Sequence, residues 1–507
     1  MISSETKPHR TERDIRARIL YPALFLLSAF AGTLFFSIST SPLTSEYGWD
    51  SAMFQTIGKY WVEGYVPYVN LFDHKGPIIF FVNAVGYAIA GRTGVFILQV
   101  LFLTASEYMA YLLLSRRFGG FAACLAALVM PVILAASWTE GNFTEEYILP
   151  LLMASYYLMY KWCGGIGRGE YEHSPRAAFV YGLTFAFALL TRVTNALGVC
   201  AGVAFISVLL MVKGSWRNLL GNAAGFILGA AALTVPFCIY FAAHGALGEM
   251  WYGTLLFNLD YSASSGMDLP YSIPNLHAAL YVAMTLIRIV LPGWCLAGAA
   301  LYALVFGKGS RLSSVFWLCI ALANTLFIYT LNSYPHYRIV LIPFFYLALC
   351  ELRGTQSSPS LRRAGNVLAV CMSVLLLYSC ILMRRSENFP HTAKNEYYED
   401  GYSEILALIP DDGRDSFIAF DCPRRLYLDT GLRPSFRFFT LQQWMSSNSP
   451  GFAAKLHDEF DESRIEWVLT FAPVYHQADD ILAARYECVA ETEHGIYRLY
   501  HLTSAGN

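Results

Sequence analysis

Charge is scarce in this chain and has no preferred sign. Asp, Glu, Lys and Arg make up 14% of its 507 residues, with 35 basic side chains against 37 acidic ones and a net charge of −2. No basic stripe is left over to neutralise a polynucleotide, which excludes nucleic acid as a partner. No CxxC and no HExxH occurs, and the eleven cysteines are scattered singly, mostly inside apolar runs where a thiol behaves as a small hydrophobe. Only Cys422 and Cys488 lie in polar surroundings, and a disulfide between them is open to the chain. The basic N-terminus runs into its first apolar stretch without a small-residue cleavage site, so the first helix reads as uncleaved. There is no strong internal repeat, against the inverted-repeat plan of many transporters.

What remains is oil. Hydrophobic residues make up 56% of the chain, the composition of an integral membrane protein. Apolar runs near the length that spans a bilayer cover roughly 19–40, 93–114, 121–138, 147–162, 177–191, 193–212, 218–242, 279–305, 313–331, 337–352 and 365–383, about eleven in all. Residues 177–212 also read as one longer run. Residues 77–91 fall short: at ~1.5 Å per residue they reach about 22 Å, less than the ~30 Å hydrocarbon core. Read as a juxtamembrane helix, this segment leaves the loops at 139–146 and 243–278, which lack Lys and Arg, on one side. The N-terminal arm, Arg116-Arg117, Lys161 to Arg176, Lys213 to Arg217, Lys308 to Arg311 and Arg353 to Arg363 then share the other. The positive-inside rule makes that second side cytoplasmic. Three parts follow: a basic cytoplasmic arm (1–18), a transmembrane part (19–383) with a first outer loop at 41–92, and an extracytoplasmic tail (384–507).

The tail alternates β-like runs (IPDDGRDSFIAFD, RRLYLDTGLRPSFRFF, ESRIEWVLTF, GIYRLYHL) with the short helical patterns FAAKLHDEF and DDILAARY. This is a small α/β domain. It holds no phosphate-binding glycine loop, triad spacing or metal motif, and reads as a lid or an acceptor-docking module.

Chemistry-bearing residues gather where the first outer loop begins and ends. Asp50 follows the first span and caps SAMF, the start of a helix with amphipathic spacing that reads as lying on the membrane surface. At the membrane edge it is also placed to accept a proton. Asp73-His74-Lys75-Gly76-Pro77 sets a lysine at headgroup depth, suited to hold a phosphate, although a lysine there also snorkels. A tight outer loop carries Glu140, Glu145 and Glu146 with no cation, an arrangement costly near lipid unless hydrated or functional. Glu145 is the preferred partner of Asp50, with Glu146 next. Arg192 and Arg338, the latter beside His336 and Tyr337, fall on the outer side against the charge bias and need a local anion. Arg288, about ten residues into its span, reads as half of a buried ion pair. Asp260 and Tyr261 belong to an aromatic outer loop suited to sugars and equally to a membrane interface.

This layout resembles the GT-C glycosyltransferases, and more narrowly is similar to bacterial relatives of the dolichyl-phosphate-mannose protein mannosyltransferases and of the lipid A aminoarabinose transferase. Trp49-Asp50, Phe72 to Pro77, Glu145-Glu146 and PHYRIVLIP (335–343) carry the resemblance over about residues 15–352. It implies Asp50 at the catalytic centre, assistance from Glu145, and donor phosphate held by Lys75 with Arg192 and Arg338. Asp73, His74, Glu146, Asp260, Tyr261, His336 and Tyr337 complete the substrate-binding candidates. Departures are visible: Ser51 stands where the family often has a second acid, and His74 and Gly76 interrupt its common Glu-Lys-Pro turn.

The expected activity is inverting transfer of a single hexose or pentose from a polyprenyl-phosphate donor to a lipid, glycan or protein acceptor on the outer face of the cell inner membrane. It requires no cofactor; a divalent metal is compatible with it but not needed. Two rivals use the same features. A flippase or transporter of a lipid-linked glycan lacks support from repeats or paired Gly/Pro-broken spans. A ligase moving an oligosaccharide from a pyrophosphate carrier lacks a large basic outer loop and a WWD-type motif.

Overall fold

The computed structural model describes residues 19–135, 137, 140–264, 290–307, 309–330, 334–354, 359–386, 402–472 and 477–503. Arg288 lies outside these residues, as do 265–278 of the aromatic loop and the Tyr261 side chain. Helices form on the apolar runs because a backbone in hydrocarbon must satisfy its own polar groups. They include Tyr21–Phe36, Arg92–Leu114, Thr144–Ile166, Pro175–Leu189, Leu197–Val212, Trp216–Ala243, Leu291–Phe306, Arg311–Thr330 and Pro359–Ser386. Run 121–138 divides into Gly120–Ala127 and Met130–Ala135, and run 337–352 opens as the 3₁₀ helix Pro335–Leu341 before Ile342–Gly354. Residues 177–212 are two helices, broken around Thr191-Arg192.

Among the described residues five segments are long and apolar enough to cross a membrane: Arg92–Leu114, Val193–Val212, Trp216–Ala243, Arg311–Ile328 and Pro359–Tyr378. Trp216–Ala243 exposes Leu220, Ile227, Leu228, Val235 and Ile239, a stripe that only a lipid surroundings makes stable. The chain is a multi-pass membrane protein. Helix Pro77–Ala90 has 14 residues and at ~1.5 Å each is about 21 Å long.

Helix Trp49–Val62 departs from the surface-helix expectation. Residues Ser51 to Gly58 are buried without a break, between Pro77–Ala90 and the tail. Its polar residues turn inward: Gln55 donates to the Ser39 carbonyl (3.1 Å) and Thr56 to that of Ala52 (2.8 Å). An amphipathic pattern marks one apolar face, but not whether water or another part of the chain covers the other.

The tail is built on a four-stranded mixed sheet in the order β1-β2-β4-β3. Strand β1 (Phe417–Phe420) runs parallel to β2 (Trp467–Phe471), and β4 (Tyr497–Leu502) is antiparallel to both β2 and β3 (Tyr486–Glu491). The parallel pair needs a crossover, which holds the helices Gln442–Asn448 and Pro450–Glu462. The β-like run RRLYLDT is instead the short helix Leu426–Thr430, closed by Gly431 at φ 70°. Its Tyr427 is buried, and the phenol accepts the Ala419 N–H of β1 (2.9 Å). Cys422 is a buried free thiol and Cys488 an exposed one, so the disulfide does not form.

The sheet domain sits on the first loop. Phe72 N–H donates to the Arg437 carbonyl (2.7 Å) and the Tyr60 hydroxyl to that of Leu432 (2.8 Å). The Phe72 ring packs on Phe438 and Phe452. Around this apolar seam Arg425 pairs with Glu46 (2.8 Å), Arg433 with Glu63 (3.3 Å), and both Arg437 and Lys455 with Glu249 (3.1 and 3.2 Å).

Candidate active site

The first loop is shaped by a residue that sequence reasoning passed over. Arg92 opens helix Arg92–Leu114 and gathers the loop's carbonyls, donating to Ser39 (3.0 Å), Thr44 (2.7 Å), Ile38 (3.0 Å) and Glu46. The loop then turns at Gly48 (φ 70°), where an added Cβ would lie 2.6 Å from the Glu140 carboxylate and 2.8 Å from the Ser39 hydroxyl. Glu140 accepts the Trp49 N–H (2.7 Å), so it grips the turn that presents Asp50. Burial, and next the Asp50 carboxylate, push the Glu140 carboxyl up to about 8.

Asp50 forms an ion pair of 2.6 Å with Arg424 of the tail, and both are partly covered (31% and 15% exposed). Burial alone would raise the Asp50 carboxyl. The Arg424 guanidinium, then Lys75 and His336, outweigh it and hold the group at about 2. Arg424 also lies over the Trp49 ring.

The Asp73–Pro77 turn delivers Lys75. Gly76 N–H donates to the Thr191 carbonyl (3.2 Å) and Ile78 N–H to that of Leu190 (3.0 Å), which seats the turn on the break between helix Pro175–Leu189 and the 3₁₀ turn Val193–Ala196. A Cβ at Gly76 would collide with the Leu190 carbonyl; only glycine fits. Asp73, fully buried, accepts the Lys75 N–H (2.9 Å) and faces His74 Nδ1 (3.4 Å). His74 Nε2 stands 2.8 Å from the Lys75 ammonium, so a neutral ring with its proton on Nδ1 accepts from the lysine. Burial pushes the Lys75 ammonium down, while Asp50 and Asp73 pull it back.

Glu145, at the start of helix Thr144–Ile166, is buried; it accepts from the Thr144 hydroxyl (2.9 Å) and pairs with Arg192 (3.2 Å). The Arg192 guanidinium lies 3.2 Å from the centre of the Tyr337 ring. His336 stacks on Phe143 at 4.2 Å. Lys75 and His336 each lie within electrostatic reach of both Asp50 and Glu145. Burial pushes the His336 imidazole down, against the pull of Glu145 and Asp50.

Asp50, Lys75, Glu145, Arg192, His336 and Tyr337 therefore meet in one place, with Asp73 and His74 behind the lysine. Other expected residues have neighbours of their own. Glu146 turns to Gln99 (2.6 Å) and caps its own helix at the Phe143 N–H (2.9 Å). Asp260 is exposed on helix Phe257–Ser264, with Tyr252 within reach of its charge. Arg338 is buried in the 3₁₀ helix that carries His336. Among the described residues no group of three or more His, Cys, Asp or Glu is arranged to hold a metal ion. Arg424, like Arg92, is a residue that sequence reasoning missed; its one signal was a pair of arginines, Arg424-Arg425, in a tail read for its strands and short helices.

Residues 74–241 match the profile of the dolichyl-phosphate-mannose-protein mannosyltransferase family. That span begins in the lysine turn and contains Glu145 and Arg192, but excludes Asp50, His336 and Arg424. No curated protein matches the chain. Among solved structures, ArnT from Cupriavidus metallidurans in the apo state is similar with a TM-score of 0.55 at 14% identity, covering 96% of this chain and 98% of that one. An Archaeoglobus fulgidus oligosaccharyltransferase gives a TM-score of 0.41 at 13% identity, covering 89% and 68%. This chain has the GT-C glycosyltransferase fold that ArnT has, and its residues 74–241 match the dolichyl-phosphate-mannose-protein mannosyltransferase profile.

Proposed function

We propose that the protein is an inverting glycosyltransferase. It moves one sugar from a polyprenyl-phosphate donor to an acceptor on the outer face of the cytoplasmic membrane. The acceptor's nucleophile attacks the anomeric carbon from the side opposite the phosphate, and its proton passes to Asp50. The bond between that carbon and the phosphate oxygen breaks, and the electron pair leaves with the lipid phosphate. Lys75 and Arg192 offset the charge that develops there. Glu145 keeps Arg192 oriented.

The observation that supports this reading is the meeting of a carboxylate and a lysine from the two ends of one loop, with a guanidinium beside them. In the same reading the N-terminus is cytoplasmic, and the loops around Asp50, Glu145 and His336 lie outside with the tail.

Arg424 has a defined part. A carboxylate held at about 2 is a weak base, so Asp50 gains strength only when the guanidinium turns to another anion. The donor phosphate is that anion. Its arrival draws Arg424 from Asp50, which releases the base only when there is a donor to use it on.

Asp50→Asn is the direct test. In vesicles supplied with polyprenyl-phosphate sugars, transfer falls by roughly 10²–10⁴-fold while the protein stays folded; full activity in the variant removes Asp50 from the mechanism. Deletion of the gene, followed by mass spectrometry of the envelope glycans, identifies sugar and acceptor together.

A further inference from the structure

A second polar cavity lies at the far end of the helices from Asp50. Helix Thr144–Ile166 begins with Glu145 in the candidate site and carries Lys161 and Gly164 near its other end. The two places are about 30 Å apart, one hydrocarbon core. The cavity has a volume of about 450 Å³. Its wall holds Arg116, Arg117, Lys161 and Arg168 against a single acid, Glu351.

Carboxylates do not match these four cations in number, since among the described residues only Glu170 and Glu351 are seen to face them. Arg168 is engaged with Glu170 (2.8 Å). Arg116 and Arg117 donate to neutral phenols, those of Tyr157 (2.9 Å) and Tyr160 (2.6 Å), which fix the guanidiniums, and Glu351 lies within electrostatic reach of Arg117. Lys161 lies over the Tyr157 ring. Ser310, Ser313 and Ser314 add hydroxyls to the wall, at the N-terminus of the 20-residue helix Arg311–Thr330, whose dipole favours an anion there. Snorkelling explains cations at a membrane edge. It does not explain three of them, fixed by phenols, around one cavity with hydroxyl donors opposite.

We infer that this cavity binds the phosphate of an anionic lipid headgroup in the leaflet opposite the candidate active site. A basic pocket between membrane helices at that depth matches such a headgroup in charge and position. The site does not depend on the transfer reaction, since none of its residues belongs to the Asp50 cluster.

The test uses the full chain in detergent, titrated separately with phosphatidylglycerol, phosphatidylcholine and inorganic phosphate, with bound ligand counted by native mass spectrometry. Phosphatidylglycerol binds with defined stoichiometry, and replacing Arg116, Arg117 and Lys161 together by Ala weakens it by roughly a hundredfold. Gly164→Leu keeps every charge but fills the cavity, because no atom lies within 4 Å of the position its Cβ would take, and it also abolishes binding. Should the triple variant fail to fold, Gly164→Leu and the single exposed change Lys161→Ala carry the test. Binding of inorganic phosphate, but not lipid, with the same residue dependence moves the ligand to a free phosphate and overturns the lipid assignment. Phosphatidylglycerol binding unchanged in folded variants overturns the site.

Discussion

Arg424 and Asp50, 374 residues apart in the chain, meet at 2.6 Å. The proposed base is thus tied to the C-terminal domain, and its acidity reports on that contact. Arg424→Ala removes the largest influence that holds the carboxyl down, so the Asp50 pKa rises from about 2 toward its ordinary 3.8. A base is active when deprotonated, so the acidic limb of the pH profile of kcat/KM moves to higher pH. A profile with an unmoved limb separates Arg424 from Asp50 chemistry. Because Arg424 is also proposed to receive the phosphate, donor KM rises in the same variant.

Glu140 predicts a pH dependence of stability. Its folded-state pKa of about 8 exceeds its ordinary 4.5, so the folded protein holds a proton that the unfolded chain releases between these values. Stability contributed by this group falls as pH rises from about 4.5 to 8 and is level above. Glu140→Gln, neutral throughout, flattens that part of the curve; thermal unfolding measured across the range checks it.

Arg192 lies against both Glu145 and the face of Tyr337, an arrangement a guanidinium satisfies and an ammonium does not. Arg192→Lys therefore keeps the charge yet lowers kcat/KM for the donor by about tenfold or more. Steady-state kinetics decide whether charge alone suffices.

The seat of the lysine turn is tested by Gly76→Ala. Its methyl meets the Leu190 carbonyl, and relieving that overlap costs about 1–3 kcal/mol and moves Lys75 away from Arg192. A lowered unfolding temperature with a raised donor KM is expected.

Much of this was legible in the sequence because it is local. Asp50 stands out at the end of an apolar run, and Asp73 to Pro77 stands out as a polar turn before another; lipid makes any charge nearby conspicuous. The three outer acids of one loop were visible in the same way, but their division of labour was not. Glu140 grips a turn, Glu145 holds an arginine and Glu146 caps a helix, and which does which depends on partners such as Trp49, Arg192 and Gln99 far away in the chain. Helix Trp49–Val62 was legible as a helix but misplaced, since helix Pro77–Ala90 covers one side of it and residues beyond 420 the other. Arg424 was hidden for the same reason: in a water-exposed domain an arginine is ordinary until one knows what it faces.

The Arg424–Asp50 pair also orders events during synthesis. Asp50, Lys75, Glu145, Arg192 and His336 all leave the ribosome before Arg424 does, so the nascent membrane part carries its acids without their latch. Until the sheet domain folds onto the first loop, Glu46, Glu63 and Glu249 also lack their cations. A chain interrupted before residue 424 would keep Lys75 and Arg192 beside Asp50 but lose the latch, leaving the carboxylate uncovered before any donor arrives.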